Sequence, residues 1–125
     1  MPKGSLPYRK IGQTDMRVTV LSMGGAGIGG MRSTNDDETG VAKVVRAIDR
    51  GINLLDTSPF YGQSERRIGL ALRHLAAQRT RPFLSTKTGH HPSRRFDYSG
   101  ETTPRPAILT KFVVTTWSEP LHGEC

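Results

Sequence analysis

Apolar positions along this chain change their spacing from two residues to about 3.6 and back, and those changes mark out the elements. The stretch from Tyr8 to Val18 carries two short runs around a Gly/Asp turn, which predicts a β-hairpin, followed by a strand over Val18–Met23. Thr34, Asn35 and Asp36 offer N-caps to a helix whose apolar residues Val41, Val44, Val45 and Ile48 fall at i, i+3, i+4 and i+7, and Gly51 ends it. Ile52–Leu55 is a continuous apolar run suited to a strand buried on both faces, with Asp56-Thr-Ser-Pro as its exit. Ser64 stands where it would cap a second helix, with Ile68, Ala71, Leu72 and Leu75 on one face. The third strand is expected over Pro82–Thr86, with Pro82 first, where a missing N–H is tolerated. Hairpin, β, α, β, α, β is the start of an alternating α/β fold with parallel strands.

The pattern changes after that. Residues 88–100 form a polar loop. In 101–125, Pro104 and Pro106 obstruct a helix start and β-branched residues crowd the one apolar stretch, so no helical period is visible. The expected division is therefore a fold over 1–100 and a divergent tail over 101–125. Open strand edges are expected at Ile52–Leu55 and Pro82–Thr86.

Composition narrows the class. Apolar residues make up 34% of the 125, and mean hydropathy is −0.46, which fits a soluble chain with a thin core. No apolar run approaches the ~18 residues of a membrane helix, and the start MPKGSLPYRK lacks the apolar segment of a signal peptide, so a cytoplasmic location is expected. The one cysteine, Cys125, excludes an intramolecular disulfide and a cysteine-rich zinc site. Net charge is +7 and pI about 10.2. The arginines come as scattered pairs, Arg66-Arg67, Arg79/Arg81 and Arg94-Arg95, without interleaved aromatics, which favours a solvated basic face over nucleic-acid binding.

Candidate chemistry concentrates in GINLLDTSPFYGQSERRIG at 51–69 and in FLSTK ending at Lys87. Asp56 ends one apolar run, Tyr61 follows in a Pro/Gly-rich loop, and Lys87 closes the next run. Each residue alone has an ordinary reading as a loop cap, a half-buried tyrosine or a solvated lysine. Together at strand ends they would form a proton-transfer device, because an ammonium beside a phenol favours the phenolate.

Other motifs carry less. Gly25–Gly30 contains the string GxGxxG, the fingerprint of a Rossmann unit, yet MRSTNDD at 31–37 delays the helix that should begin at the last glycine. His90 and His91 are adjacent and diverge, His74 falls on the Arg-rich side of a helix, and His122 lies in the divergent tail, so no metal site is expected. A serine-nucleophile elbow fails because Arg66 replaces its final glycine.

Over residues 6–100 the motifs NLLDTSPFYGxSE and STKTG resemble the aldo-keto reductase superfamily. The resemblance implies that Asp56, Tyr61 and Lys87 are three members of a catalytic tetrad whose fourth, a histidine in a run like DxLxxHD, has no counterpart here. It implies a (β/α)8 TIM barrel, of which this chain holds the hairpin and about three βα units. Such a barrel takes about 250 residues, so the chain reads as incomplete, whether by frameshift, mis-predicted exon or early stop. The resemblance further implies NAD or NADP as cofactor, with Gly24, Gly25 and Asp56 near its nicotinamide end, and a small-molecule carbonyl or sugar as substrate. The hairpin resembles the plug at the barrel bottom. FDYSGE at 96–101 is similar to the branch that oxidises free aldoses such as galactose at C1. Two alternatives stay open: an inactive fragment, and a Rossmann-type dinucleotide-binding domain.

Overall fold

The computed structural model describes residues 6–31, 34–76, 81–87, 89, 93, 95–97 and 99, together with the backbone strand 112–116. Two strands, β1 (Tyr8–Lys10) and β2 (Arg17–Thr19), form an antiparallel hairpin, and its turn uses Gly12 at a φ of +52°. The strand expected over Val18–Met23 is broken. Thr19 instead ends β2, its hydroxyl donating to the Leu21 carbonyl at 2.7 Å, and a two-residue strand β3 follows at Met23–Gly24. Asn53 holds Thr19 in place. Its Oδ1 accepts the Thr19 amide at 2.7 Å and its Nδ2 donates to the Arg17 carbonyl at 2.9 Å.

Helix α1 spans Asp37–Asp49 and is capped by Asp36, whose carboxylate accepts the Thr39 amide at 2.7 Å. That hydrogen bond holds the Asp36 carboxyl below its ordinary pKa. Asn35, another candidate cap, instead donates to the Gly27 carbonyl and accepts from Lys43. Beyond Arg50 the chain reverses through Gly51 at a φ of +94°. Strand β4 is Leu54–Asp56 and helix α2 is Ser64–Leu75. Ser64 is the first helical residue and not the cap. Its hydroxyl is shared with Thr57 Oγ1 at 2.8 Å, while Gln63 takes the cap position without a side-chain bond. Strand β5 covers Phe83–Lys87, one residue later than expected, so that Lys87 belongs to the strand.

The main sheet has the order β3-β4-β5-β6, parallel across the first three strands. Strand β6 is Phe112–Thr116 and runs antiparallel to β5 along its whole length. The sequence pattern predicts no element there. The β-branched residues that argued against a helix suit a strand. Consequently β4 is interior and β5 is paired on both sides, which corrects the expected open edges; the described edges are β3 and β6. The four described strands form an open sheet.

The core lies between the sheet and the two helices. Val44 and Ile48 of α1 and Ile68, Ala71, Leu72 and Leu75 of α2 meet Leu55 of β4, with Leu84 of β5 packed at the margin. Leu55 and Leu75 are almost fully buried, each worth about 1.5–3 kcal/mol of transfer free energy. Because side chains alternate along a strand and Leu55 pairs with Leu84 on the helix-facing side, Asp56 and its partner Ser85 point to the opposite face. Lys87 shares that face with Ser85.

Candidate active site

Three neighbouring parallel strands end together: Gly24 of β3 pairs with Asp56 of β4, which pairs with Ser85 of β5, two residues before Lys87. The C-terminal ends of β4 and β5 therefore bring a carboxylate and an ammonium together. Lys87 Nζ lies 2.8 Å from Asp56 Oδ2 and donates to the Thr57 carbonyl at 3.1 Å, while Ser85 Oγ donates to Asp56 Oδ1 at 3.1 Å. Both carboxylate oxygens are engaged by β5.

Tyr61 arrives from the loop between β4 and α2. The loop is fixed by local bonds: the Phe60 amide donates to Ser58 Oγ, the Tyr61 amide to the Ser58 carbonyl at 2.9 Å, and the Ser64 amide to the Tyr61 carbonyl at 2.9 Å. Gly62, at a φ of +53°, turns the chain immediately after the tyrosine. The outcome is a Tyr61 ring whose centroid lies 4.8 Å from Lys87 Nζ. Burial pulls the Lys87 pKa down, but hydrogen bonds to Asp56 and Tyr61 and the Asp56 charge outweigh it, so the pKa stands above its ordinary value. Lys87 is held as an ammonium, with a side chain only 18% exposed.

Asp56, Tyr61 and Lys87 are thus brought together, and at the end of the sheet opposite the hairpin, since Asn53, which grips β2, precedes β4. The two expected cofactor glycines differ. Gly24 is exposed, and a Cβ there would meet nothing within 4 Å, leaving its backbone open to a flat ligand. Gly25 is buried: its amide donates to the Asp56 carbonyl at 2.6 Å, and a Cβ would strike Ser64 Oγ and lie 2.8 Å from that carbonyl. Glycine at 25 serves packing against Asp56.

The Rossmann alternative does not fit, because α1 starts at Asp37, well past Gly30, and Gly30 therefore does not open a helix. Among the described residues no group of three His, Cys, Asp or Glu could hold a metal, and no helix is long and apolar enough to cross a membrane. His74 is exposed; His90, His91, His122 and Cys125 lie outside the described residues.

Two residues at the site do not stand out in the sequence pattern. Ser85 could have been found from its period-two spacing to Lys87. Arg67, expected with Arg66 on a solvated basic face, is buried at 6% exposure. Its position three residues after Ser64 and four before Ala71 places it on the apolar stripe of α2, and that spacing was the available signal.

Residues 20–108 match the model of the Aldo/keto reductase family, and the chain belongs to this family. It is 34% identical over 98 residues to the L-galactose dehydrogenase of Arabidopsis thaliana, covering 77% of this chain and 30% of that protein. It is also 34% identical over 108 residues to the D-arabinose 1-dehydrogenase of Saccharomyces cerevisiae, covering 84% of this chain and 30% of the relative. A solved structure from Pseudomonas aeruginosa described as an aldo-keto reductase superposes with a TM-score of 0.65 at 30% identity, over 86% of this chain and 42% of that one. The chain spans about a third of the length of the curated relatives it matches.

Proposed function

We propose that this chain carries the proton-transfer half of an NAD(P)-dependent oxidoreductase site, acting on a carbonyl or on the C1 of an aldose, in the first part of a (β/α)8 barrel. The observation that carries the reading is the Lys87 ammonium, 2.8 Å from the Asp56 carboxylate and 4.8 Å from the Tyr61 ring centre, at the C-terminal end of parallel strands. Barrel enzymes use that end for chemistry.

Tyr61 is the acid that gives its proton to the carbonyl oxygen as charge develops there, and the base that takes it back when an alcohol is oxidised. Lys87 faces the phenol with a full positive charge and stabilises the negative charge left on its oxygen. Asp56 fixes Lys87 through the ion pair, and Ser85 fixes Asp56. A nicotinamide dinucleotide, when bound, supplies or accepts the hydride. The exposed backbone at Gly24, one strand from Asp56, is the surface in this chain against which its flat nicotinamide end would rest. Similarity to dehydrogenases named for L-galactose and D-arabinose supports an aldose as substrate. A cytoplasmic setting fits this chemistry.

A second reading is favoured by β6. This strand pairs antiparallel with β5, on the edge where the next parallel barrel strand would lie. On that reading the chain carries three groups of the site without turning substrate over.

The test is a chimaera in which residues 6–100 replace the matching segment of the Arabidopsis L-galactose dehydrogenase. It should oxidise L-galactose, and Tyr61→Phe should lower kcat by about 10²–10⁴-fold with nicotinamide binding kept. A Tyr61→Phe chimaera that works at the parent rate would remove Tyr61 from the chemistry. Loss of turnover in the 125-residue chain itself, beside an active chimaera, would favour the second reading.

A further inference from the structure

The buried Arg67 side chain of α2 holds three points between Ile28 and Asp37, 30 to 39 residues earlier in the chain. Its Nη1 donates to the Ile28 carbonyl at 2.6 Å, its Nη2 to the Asn35 carbonyl at 2.6 Å, and its Nε to Asp37 Oδ1 at 3.1 Å. Its side chain is 7% exposed. Asp37 balances the charge and also pairs with Arg66, and these two guanidinium groups hold its carboxyl below the usual carboxylate range. Gly40 of α1 makes room for the arm, because a Cβ there would lie 2.5 Å from Arg67 Cδ. A planar fork with fixed donor directions satisfies this set of acceptors; an ammonium cannot reach all three at once.

The loop that Arg67 grips is the one that sets Tyr61. Next to Ile28, the Gly29 carbonyl accepts the Gln63 amide at 3.0 Å, and the Gly29 amide donates to the Gly25 carbonyl at 3.0 Å. The Gly29 backbone lies against the Tyr61 carbonyl so closely that a Cβ at 29 would overlap it, and a Cβ at 62 would strike the Gly29 carbonyl oxygen. The backbone from the Tyr61 carbonyl to Gln63 therefore rests on Gly29, and Arg67 anchors the neighbouring Ile28.

We infer that Arg67 is a positioning residue: by clamping the backbone at Ile28 and Asn35 it seats Gly29 under the Tyr61 loop and so holds the Tyr61 ring against Lys87. The inference rests on the proposed role of Tyr61 for its meaning, but its geometry can be tested without turnover.

The test uses the 125-residue chain with lysine ¹³C-labelled. A tyrosine ring this close shifts the Lys87 Cε and Hε resonances by its ring current, and Tyr61→Leu gives the value without the ring. Arg67→Met should move the Lys87 resonances more than half-way to the Tyr61→Leu value while the methyl signals of Leu55, Val44 and Leu75 keep their dispersion. Should Arg67→Met lose that dispersion, Arg67→Lys decides: it keeps the charge beside Asp37 but not the fork, and should show the same movement. Lys87 resonances unchanged in a folded Arg67→Met or Arg67→Lys chain would overturn the inference. Tyr61→Phe retains the ring and its shift, so failure of the catalytic proposal and failure of this one give different results.

Discussion

Lys87 reaches across from β5 to place its ammonium 2.8 Å from Asp56 Oδ2, while Ser85 of the same strand holds the other carboxylate oxygen at 3.1 Å. One strand thus fixes the charge at the end of its neighbour through two side chains that share a face. Parallel register makes this possible: Asp56 stands opposite Ser85, and Lys87 lies one full pleat further along.

The pair should leave a signature in alkaline stability. Folding raises the Lys87 pKa above its ordinary 10.5, so the folded state holds this proton more tightly than the unfolded one. The contribution is fully present below pH 10.5 and is lost as pH rises through the raised folded value. Lys87→Met should cost about 1–3 kcal/mol in urea denaturation at pH 7. That gap should be the same at pH 9 and should narrow above pH 11. A gap already closing between pH 7 and pH 9 would mean that Lys87 is not held as described.

Strand β6 should protect particular amides of β5. The Phe83 amide donates to the Asn53 carbonyl, and the Thr57 amide to the Ser85 carbonyl, so residues 83 and 85 direct their backbone groups toward β4. By alternation Leu84 and Thr86 face β6. A chain ending at Gly100 should show faster hydrogen exchange at Leu84 and Thr86, with Phe83 and Ser85 little changed. The bare edge should also increase self-association in sedimentation. Equal exchange rates with and without residues 101–125 would show that β6 does not pair in solution.

What could be read in advance follows from how local each signal is. Val44, Ile48, Ile68, Ala71, Leu72 and Leu75 were legible because a helix exposes its face through spacing within one segment. Strand limits moved by one or two residues because partners set them: Asn53 draws Thr19 into the hairpin and so splits the expected strand over Val18–Met23. Strand β6 was hidden because two prolines and the lack of a helical period masked an ordinary β-branched run.

At the site, the convergence of Asp56, Tyr61 and Lys87 was legible because strand ends in an alternating α/β chain lie at one end of the sheet. Arg67 was not, because its neighbour Arg66 is exposed and the two look alike in sequence. Only the stripe position of Arg67, and the loop carbonyls it reaches, separate a buried clamp from a solvated charge. The crowding at Gly25 was hidden for a related reason: an open glycine and a crowded one read the same.

The two glycines at the end of β3 should separate when each is replaced by alanine. At Gly25 the new methyl would meet Ser64 Oγ and lie 2.8 Å from the Asp56 carbonyl and 3.1 Å from Thr57 Oγ1. The backbone carbonyl cannot swing aside without breaking its 2.6 Å bond from the residue 25 amide or disturbing β4. Gly25→Ala should therefore destabilise the chain by about 1–3 kcal/mol, the usual cost of overpacking a filled site. At Gly24 nothing lies within 4 Å of the added methyl, and the backbone is not in the left-handed region. There Gly24→Ala should be neutral or stabilise by about 0.4–1 kcal/mol, because alanine narrows the unfolded ensemble. In the barrel chimaera the same Gly24→Ala should weaken nicotinamide dinucleotide binding, since the methyl projects into the space proposed for the ring. Urea denaturation of both variants, followed by calorimetric titration of the chimaera, separates the two roles. If Gly24→Ala costs as much stability as Gly25→Ala, the exposed end of β3 is packed rather than open; if it leaves dinucleotide affinity unchanged, Gly24 does not face the ligand.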